Sequence, residues 1–224
     1  MKILTGVLAA AVLALPAMAQ KSADARLQAA TEDLHEMMNA SDKGIPQDLI
    51  AKASCVVVVP NLKAGGFIVG GQYGKGFFTC RKPSGVGWSA PGSVRLSGGK
   101  FGLLIGGKET DVIMLVMNKR GMDHLLSDKF QIGGEASAAA GPVGRDSSAM
   151  TDATLNAEIL TYSRSRGVFG GLDIGGSAVT SDEDSNRELY GQKINNKEIL
   201  ESNMKVPAAA QPFIHELDRI SSRK

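Results

Sequence analysis

The sequence predicts an α+β fold with an N-terminal helix, a glycine-rich, strongly curved and mostly antiparallel β-sheet, and C-terminal helices. Strand-like apolar runs follow one another between helical segments without a repeating strand–helix–strand alternation, which is typical of an antiparallel sheet. Glycine supplies 27 of the 224 residues, well above the usual share of about 7%. Doubled glycines bracket segments 65–71, 98–107 and 170–176. Because glycine inside a strand marks a bulge, a bend or a close backbone approach, we expect a sheet that closes or nearly closes into a barrel.

Segment 1–19 has the pattern of a signal peptide. Lys2 provides a short basic region, Ile3–Leu15 an apolar region, and Ala17-Met18-Ala19 a small-residue cleavage site. We therefore expect cleavage near Ala19 and a periplasmic or secreted mature protein. A retained N-terminal anchor is the alternative.

Residues 20–44 predict an amphipathic N-terminal helix, and residues 45–224 form the remaining domain with its C-terminal helices. Leu27, Leu34 and Met38 share one helical face. Residues 21–43 carry three basic and five acidic side chains, whereas helices that lie on anionic membranes are usually basic. The helix is therefore expected to pack on the domain. Pro46 can open a short second helix that runs to Lys52.

The pattern then changes to strands. Apolar runs of strand length occupy 55–60, 65–71, 74–82, 93–99, 101–107 and 111–118. A helical period returns over Arg120–Ser127, and strand-like sequence resumes over 129–141, 157–167 and 168–179. Three further helices are predicted: one that starts near Ser181 and ends at Tyr190-Gly191, one over Asn196–Ser202 and one over Pro212–Ile220.

Cys55 and Cys80 are the only cysteines. In an oxidising compartment their pairing as a disulfide is expected, with a stabilisation of roughly 3 kcal/mol. Two buried free thiols are the alternative.

Glycine-rich segments invite nucleotide-binding interpretations, but none survives inspection. The dinucleotide-like spacing of 85–90 is followed at once by Pro91, where a helix is required. The P-loop-like spacing of 102–108 ends at Glu109 instead of Ser or Thr. The EF-hand-like start at Asp182 has Arg187 in place of the turn glycine. The three histidines show no ligand spacing, so the sequence predicts no catalytic residues, no metal site and no cofactor.

The distribution of charge carries more information than the formal net charge of +2. Residues 49–108 contain no Asp or Glu, yet they hold eight basic residues and six of the eleven aromatic ones. Basic side chains interleaved with aromatic rings suit an anionic surface or head group. The alternative is a core sheet that buries its aromatic rings and carries lysines on its solvent-exposed face. Nucleic acid is not expected, because the net charge is close to zero.

Longer strings carry a resemblance to a known family. They read GIPQDLIAKASCVVVVP from residue 44, GWSAPGSVRLSGGKFGLLIGG from residue 87, DVIMLVMNKRGMDHLLSDKFQIGGEASAAAGPVGRD from residue 111 and EILTYSRSRGVFGGLDIGGSAV from residue 158. The chain resembles the SYLF domain family, which is related to the yeast Ysc-type actin-binding domain, and it looks like a bacterial, exported member. The resemblance implies a non-enzymatic, lipid-binding module. Eukaryotic members also bind actin and phosphoinositides, for which anionic phospholipids such as phosphatidylglycerol or cardiolipin would substitute in a bacterial envelope.

The sequence thus predicts a protein of the bacterial envelope that performs no chemistry and binds an anionic phospholipid or membrane surface. The alternative is a structural or protein-interaction module whose basic sheet faces an acidic envelope protein. Arg145, Arg164 and Arg166 lie within the family strings, although internal salt bridges are the alternative role for them. The predicted lipid-binding residues are Lys63, Lys75, Arg81, Lys82, Trp88, Arg95, Lys100, Arg145, Arg164 and Arg166.

Overall fold

The computed structural model describes residues 22–40, 44–66, 69–101, 106–144, 156–165, 168–171 and 174–221. The predicted signal peptide, Arg145 and Arg166 lie outside these described residues. The helices described are α1 (Ala23–Asn39), α2 (Gln47–Lys52), α3 (Lys119–Leu126), α4 (Glu183–Tyr190), α5 (Asn196–Glu201) and α6 (Gln211–Ile220). The strands described are β1 (Cys55–Gly66), β2 (Val69–Cys80), β3 (Gly92–Phe101), β4 (Gly106–Val116), β5 (Lys129–Gln131), β6 (Ala138–Ala140), β7 (Ile159–Ser165), β8 (Val168–Gly171) and β9 (Ala178–Ser181).

The strands form one nine-stranded, strongly curled half-barrel with the order β5-β9-β3-β2-β1-β4-β7-β6, and β8 also pairs with β7. The pairing is antiparallel except between β6 and β7. Strands β5 and β6 lie at opposite ends of this order, and a bridge between Ile132 and Ala136 lies in the segment that joins them. The predicted α+β class and curved, mostly antiparallel sheet are confirmed.

Alternation along each strand gives the sheet two buried faces. Val57 and Phe78 lie in an inner cluster enclosed by the curl. Their neighbours Val58 and Phe77 lie in an outer cluster with residues of α1, α2 and α6. The core is therefore two layers deep, and α1, α2 and α6 cover the outer face of the sheet.

The first strand is distorted where Pro60 interrupts it. The pairing of β1 with β4 shifts between Val59 and Leu62, which indicates a β-bulge. Asn61 adopts a φ of 52°, and its backbone N–H donates to Oδ1 of Asp111 at 2.9 Å. A carboxylate on the neighbouring strand therefore satisfies a donor that the distorted ladder leaves free.

Helix α1 packs on the outer face, as its pattern predicts. Ser22 caps it by accepting a hydrogen bond from the backbone N–H of Ala25 at 3.2 Å. Leu27 and Leu34 are completely buried, whereas Met38 is only partly buried. The apolar stripe thus faces the core.

Cys55 and Cys80 are directly opposite each other on β1 and β2. They form a disulfide with an S–S distance of 2.04 Å. The predicted pairing is confirmed, and it joins the start of β1 to the end of β2.

Candidate functional site

The basic residues of the acid-free stretch do not form one surface. The sheet places them at three levels: Lys75 and Arg95 opposite each other in its middle, Arg81 and Lys82 after β2, and Lys63 and Lys100 near the far ends of β1 and β3. The burial and the partners of the cations differ from one level to the next.

The middle level is an internal ion cluster around Asp182, which is 1% exposed. Lys75 and Arg95 each approach an oxygen of this carboxylate at 2.9 Å, and Ser185 donates to it at 2.6 Å. Burial alone would raise the pKa of Asp182, but the hydrogen bonds from Ser185 and Lys75 and the charges of Lys75 and Arg95 lower it below its usual value. Both cations are thus engaged by a buried acid.

A cavity of about 450 Å³ adjoins this ion cluster. Its lining is mostly acidic and comprises Arg95, Asp128, Ser181, Asp182, Glu183 and Asp184. A negative lining opposes the binding of an anionic head group at this place.

Arg81 and Trp88, which follow β2, are also engaged in contacts within the protein. Trp88 is 1% exposed, and its Nε1 donates to the hydroxyl of Ser221 at 3.1 Å. Arg81 stacks on the indole and donates to the carbonyl of Ser221 at 2.9 Å. The indole therefore lies in the interior and not on a surface. Of the two cations at this level, Arg81 is partly buried and Lys82, which begins the connection 82–87, is exposed.

The opposite end of the sheet is different, because Lys63, Tyr73 and Lys108 are exposed there. We call residues 63–66, 69–73, 98–101 and 106–109 the open end. Register places Lys63 opposite both Tyr73 and Glu109, and Tyr73 is 46% exposed. Lys63 approaches Glu109 at 3.8 Å, with both side chains 61% exposed. Lys108 is exposed, and Lys100 lies opposite Gly70 on the neighbouring strand.

Pairs of glycines lie opposite each other at the open end and leave its backbone uncovered by side chains. Gly71 lies opposite Gly99, and Gly65 lies opposite Gly107. A Cβ atom built on Gly99 or Gly107 would have no described neighbour within 4 Å. The backbone is thus accessible beside Tyr73 and Lys63. The connections that leave this end contain Phe67-Ile68 and Leu103-Leu104-Ile105 in the sequence, and they lie outside the described residues.

Arg164 belongs to an internal network. Its guanidinium contacts Asp33 of α1 at 2.8 Å and Asp111 of β4 at 2.9 Å, and it also pairs with Glu36. This arrangement matches the alternative role of an internal salt bridge, at the seam between α1 and the sheet. The other two arginines of the predicted set, Arg145 and Arg166, lie outside the described residues.

Sequence reasoning missed several residues that these clusters depend on. Asp33, Asp111 and Asp182 are far in sequence from the arginines that they neutralise, so local patterns do not reveal the pairs. Lys108 was recognisable as the last cation of the acid-free stretch, and Tyr73 as one of its aromatic residues. The signal that distinguishes them is exposure, which the sequence does not report.

The described side chains of these clusters are joined by charge pairs and hydrogen bonds. Within the described part of the chain, no three His, Cys, Asp or Glu side chains converge in a way that would hold a metal ion. In the same residues, no helix is long and apolar enough to cross a bilayer.

Comparisons with known proteins agree on one family. Residues 97–220 match the family model Ysc84, described as Las17-binding protein actin regulator. Protein YSC84 of Saccharomyces cerevisiae is 31% identical over 181 residues, which cover 80% of this chain and 38% of that protein. SH3 domain-containing YSC84-like protein 1 of Homo sapiens is 31% identical over 186 residues, which cover 83% of this chain and 54% of that protein. The chain therefore spans about half or less of the length of these relatives.

Proposed function

This chain belongs to the Ysc84, or SYLF, family, and we propose that it is a non-catalytic interaction module that docks an acidic protein surface on its open end. The family description and the name of a Saccharomyces cerevisiae relative, LAS seventeen-binding protein 3, both refer to a protein partner. The observation that carries the proposal is the exposure of Tyr73, Lys63 and Lys108 at one end of the sheet.

Charge supports an acidic partner. Among the described residues of the open end, three are lysines (Lys63, Lys100 and Lys108) and one is an acid, Glu109. Complementary charge accelerates association and selects partners, and it makes binding sensitive to salt. Lys75 and Arg95 contribute less, because both are paired with the buried carboxylate of Asp182.

The aromatic ring supports a protein interface. Tyrosine is enriched at interfaces and among the residues that dominate binding energy. Tyr73 lies beside glycine backbone, where a partner can approach its ring closely. Its phenol remains able to hydrogen-bond at the rim of such a contact.

Anionic phospholipid is a second candidate for the same end. Each lysine near an anionic bilayer contributes about 1 kcal/mol, so Lys63, Lys100 and Lys108 together would support weak, reversible adsorption. Bilayer insertion requires apolar residues, and the sequence of the two connections noted above is apolar. The combination of lysines with neighbouring apolar sequence favours lipid over other non-protein ligands.

A charge-reversal triple, Lys63→Glu, Lys100→Glu and Lys108→Glu, tests the proposal. The wild-type chain would first be immobilised and exposed to extracts of its own host. Proteins that it retains would be identified by cross-linking and mass spectrometry, and each would then be purified for titration. We expect the triple variant to bind the purified partner at least tenfold more weakly, with a shallower salt dependence. Equal affinity of wild type and triple variant would contradict the open end as the docking surface.

A matched control reverses three exposed lysines elsewhere, Lys119→Glu, Lys193→Glu and Lys197→Glu, and should leave affinity within about twofold. Vesicles of phosphatidylglycerol and of phosphatidylcholine, sedimented with the same variants, separate the two candidates. Binding to phosphatidylglycerol that disappears in the first triple supports the lipid candidate. Retention of the protein partner without binding to either vesicle at low salt supports the protein interface alone.

A further inference from the structure

Helix α1 is held on the sheet by apolar contacts along most of its length. Leu27, Leu34 and Met37 are buried in the outer cluster with Phe77 and Ile113. This part of the interface is insensitive to pH, because it contains no titratable group. Any pH dependence of α1 docking must therefore come from its polar contacts.

Among the polar contacts of α1, those of Asp33 and Glu36 converge on Arg164. One guanidinium faces three carboxylates: Asp33 and Glu36 from α1, and Asp111 from β4. Asp111 accepts two hydrogen bonds from Arg164, at 2.9 and 3.1 Å. Asp33 accepts one at 2.8 Å through Oδ1. A single positive charge thus faces up to three negative ones at the seam between helix and sheet.

Asp33 is the least compensated of the three. The residue is buried, and among the described residues its Oδ2 atom has no hydrogen-bond partner. Asp111, by contrast, receives the backbone N–H of Asn61 on its other oxygen, and the side chain of Glu36 is about half exposed. A buried, partly unpaired carboxylate is costly in its charged form.

We propose that Asp33, Glu36, Asp111 and Arg164 form a pH-sensitive latch that holds α1 more tightly on the sheet as pH falls towards 4. Protonation of one carboxylate removes a buried charge and the repulsion between Asp33 and Asp111, while Arg164 remains paired with the other acids. Deprotonation restores both costs, and α1 is then held mainly by its apolar face.

The pKa of Asp33 supports the direction of the effect. Burial, and next the charge of Asp111, raise it from 3.8 to about 7 in spite of Arg164. A group whose pKa is raised by docking stabilises the docked state fully below its ordinary pKa. That contribution is lost as pH rises through the window from about 4 to about 7.

The remaining charged contacts of α1 lie on other elements. Arg26 contacts Glu188 of α4 at 3.8 Å, and His35 contacts Glu216 of α6 at 3.1 Å. His35→Gln removes the second of these contacts and so separates it from the latch.

Release of α1 would uncover the outer face of the sheet. The residues beneath it include Val58, Phe77 and Ile113, which are fully buried when the helix is docked. A proton-dependent change in α1 therefore alters how much apolar sheet surface can meet a partner.

Hydrogen exchange of the full chain between pH 4 and pH 8 tests the latch, with the protection of α1 amides corrected for intrinsic exchange rates. In the wild type, the opening equilibrium of α1 should rise with pH by up to about tenfold per unit within the window. Asp33→Asn should flatten this rise and leave α1 more protected at pH 7. Glu32→Gln, an exposed carboxylate on the same helix, should keep the wild-type slope, and so should His35→Gln.

Two results would overturn the latch: a wild-type opening equilibrium that does not change with pH, or an Asp33→Asn variant with the wild-type slope. Asp111→Asn provides an independent test, because it removes a carboxylate that raises the pKa of Asp33. Its opening transition should move to lower pH, and an unmoved transition would equally reject the proposal.

Discussion

The guanidinium carbon of Arg81 lies 4.1 Å from the centroid of the Trp88 ring, and the two residues pair across the connection between β2 and β3. The same guanidinium group donates to the carbonyls of Ile50, Ala51 and Ser221. One side chain therefore joins α2, the sheet and the residue that follows α6. Such multiple bonds to one planar donor are a property of arginine that lysine does not share.

Replacing Arg81 by lysine should lower the free energy of unfolding by about 1–3 kcal/mol. The stacked guanidinium group and most of its hydrogen bonds are lost, while the charge remains. Urea unfolding monitored by Trp88 fluorescence measures the change. The exposed neighbour Lys82 provides the comparison: Lys82→Ala should change stability by less than about 0.5 kcal/mol. An Arg81→Lys variant as stable as the wild type would show that Arg81 acts only through its charge.

Removing the disulfide should destabilise the fold. We expect the double variant Cys55→Ala/Cys80→Ala to lose about 3 kcal/mol, because the unfolded chain gains the freedom that the cross-link removes. Urea unfolding with and without a reductant measures this loss. The reductant should lower wild-type stability to a similar extent and should not affect the double variant.

Asp182→Asn should destabilise the protein by about 3–5 kcal/mol at pH 7, because Lys75 and Arg95 would lose their shared buried counter-charge. Asp184→Asn, two residues further on with an exposed side chain, should cost less than about 0.5 kcal/mol. Guanidinium unfolding of both variants makes the comparison. Near-equal stability of the two would contradict the structural role of the ion cluster.

Acid should weaken the same cluster. The pKa of Asp182 lies below its ordinary value of 3.8, so its contribution is complete above that pH and is lost as pH falls through the lowered pKa. The stability difference between wild type and Asp182→Asn should therefore shrink as pH falls below 4. A difference that is constant from pH 7 to pH 2.5 would exclude this assignment.

Two glycines on neighbouring strands should respond oppositely to alanine. A Cβ on Gly76 would lie 2.1 Å from the carbonyl oxygen of Val58, so Gly76→Ala should cost about 1–3 kcal/mol through overpacking. Gly99 has open space around its Cβ direction, and Gly99→Ala should be neutral or stabilise by up to about 1 kcal/mol. Thermal unfolding distinguishes the two, and a large loss in Gly99→Ala would show that the open end needs glycine at this position to fold.

Most of the fold could be predicted from sequence because its signals are local. The apolar run that begins at Cys55, the glycine pairs and the caps of the later helices each fix an element within a few residues. The parallel pairing of β6 with β7 carries no such signal, because three consecutive alanines fit either direction. The disulfide was predictable, since only two cysteines are present.

The candidate site was predictable only in part. Composition revealed an acid-free stretch, but the depth of each cation depends on partners that lie far away in sequence. Lys75 and Arg95 meet Asp182 only after β2, β3 and the start of α4 come together. Trp88 illustrates the same limit: a tryptophan next to a glycine-rich connection suits a surface anchor equally well until Ser221 closes over it.

The bulge in β1 has a consequence for how the molecule comes apart. Asp111 accepts the N–H of Asn61 with one oxygen and the guanidinium of Arg164 with the other, and Arg164 in turn contacts α1. A single side chain thus connects a local distortion of an inner strand to one of the contacts that attach a peripheral helix. We expect these two regions to lose their structure as one cooperative unit. A substitution at the bulge should therefore destabilise α1, although the bulge makes no direct hydrogen bond to that helix.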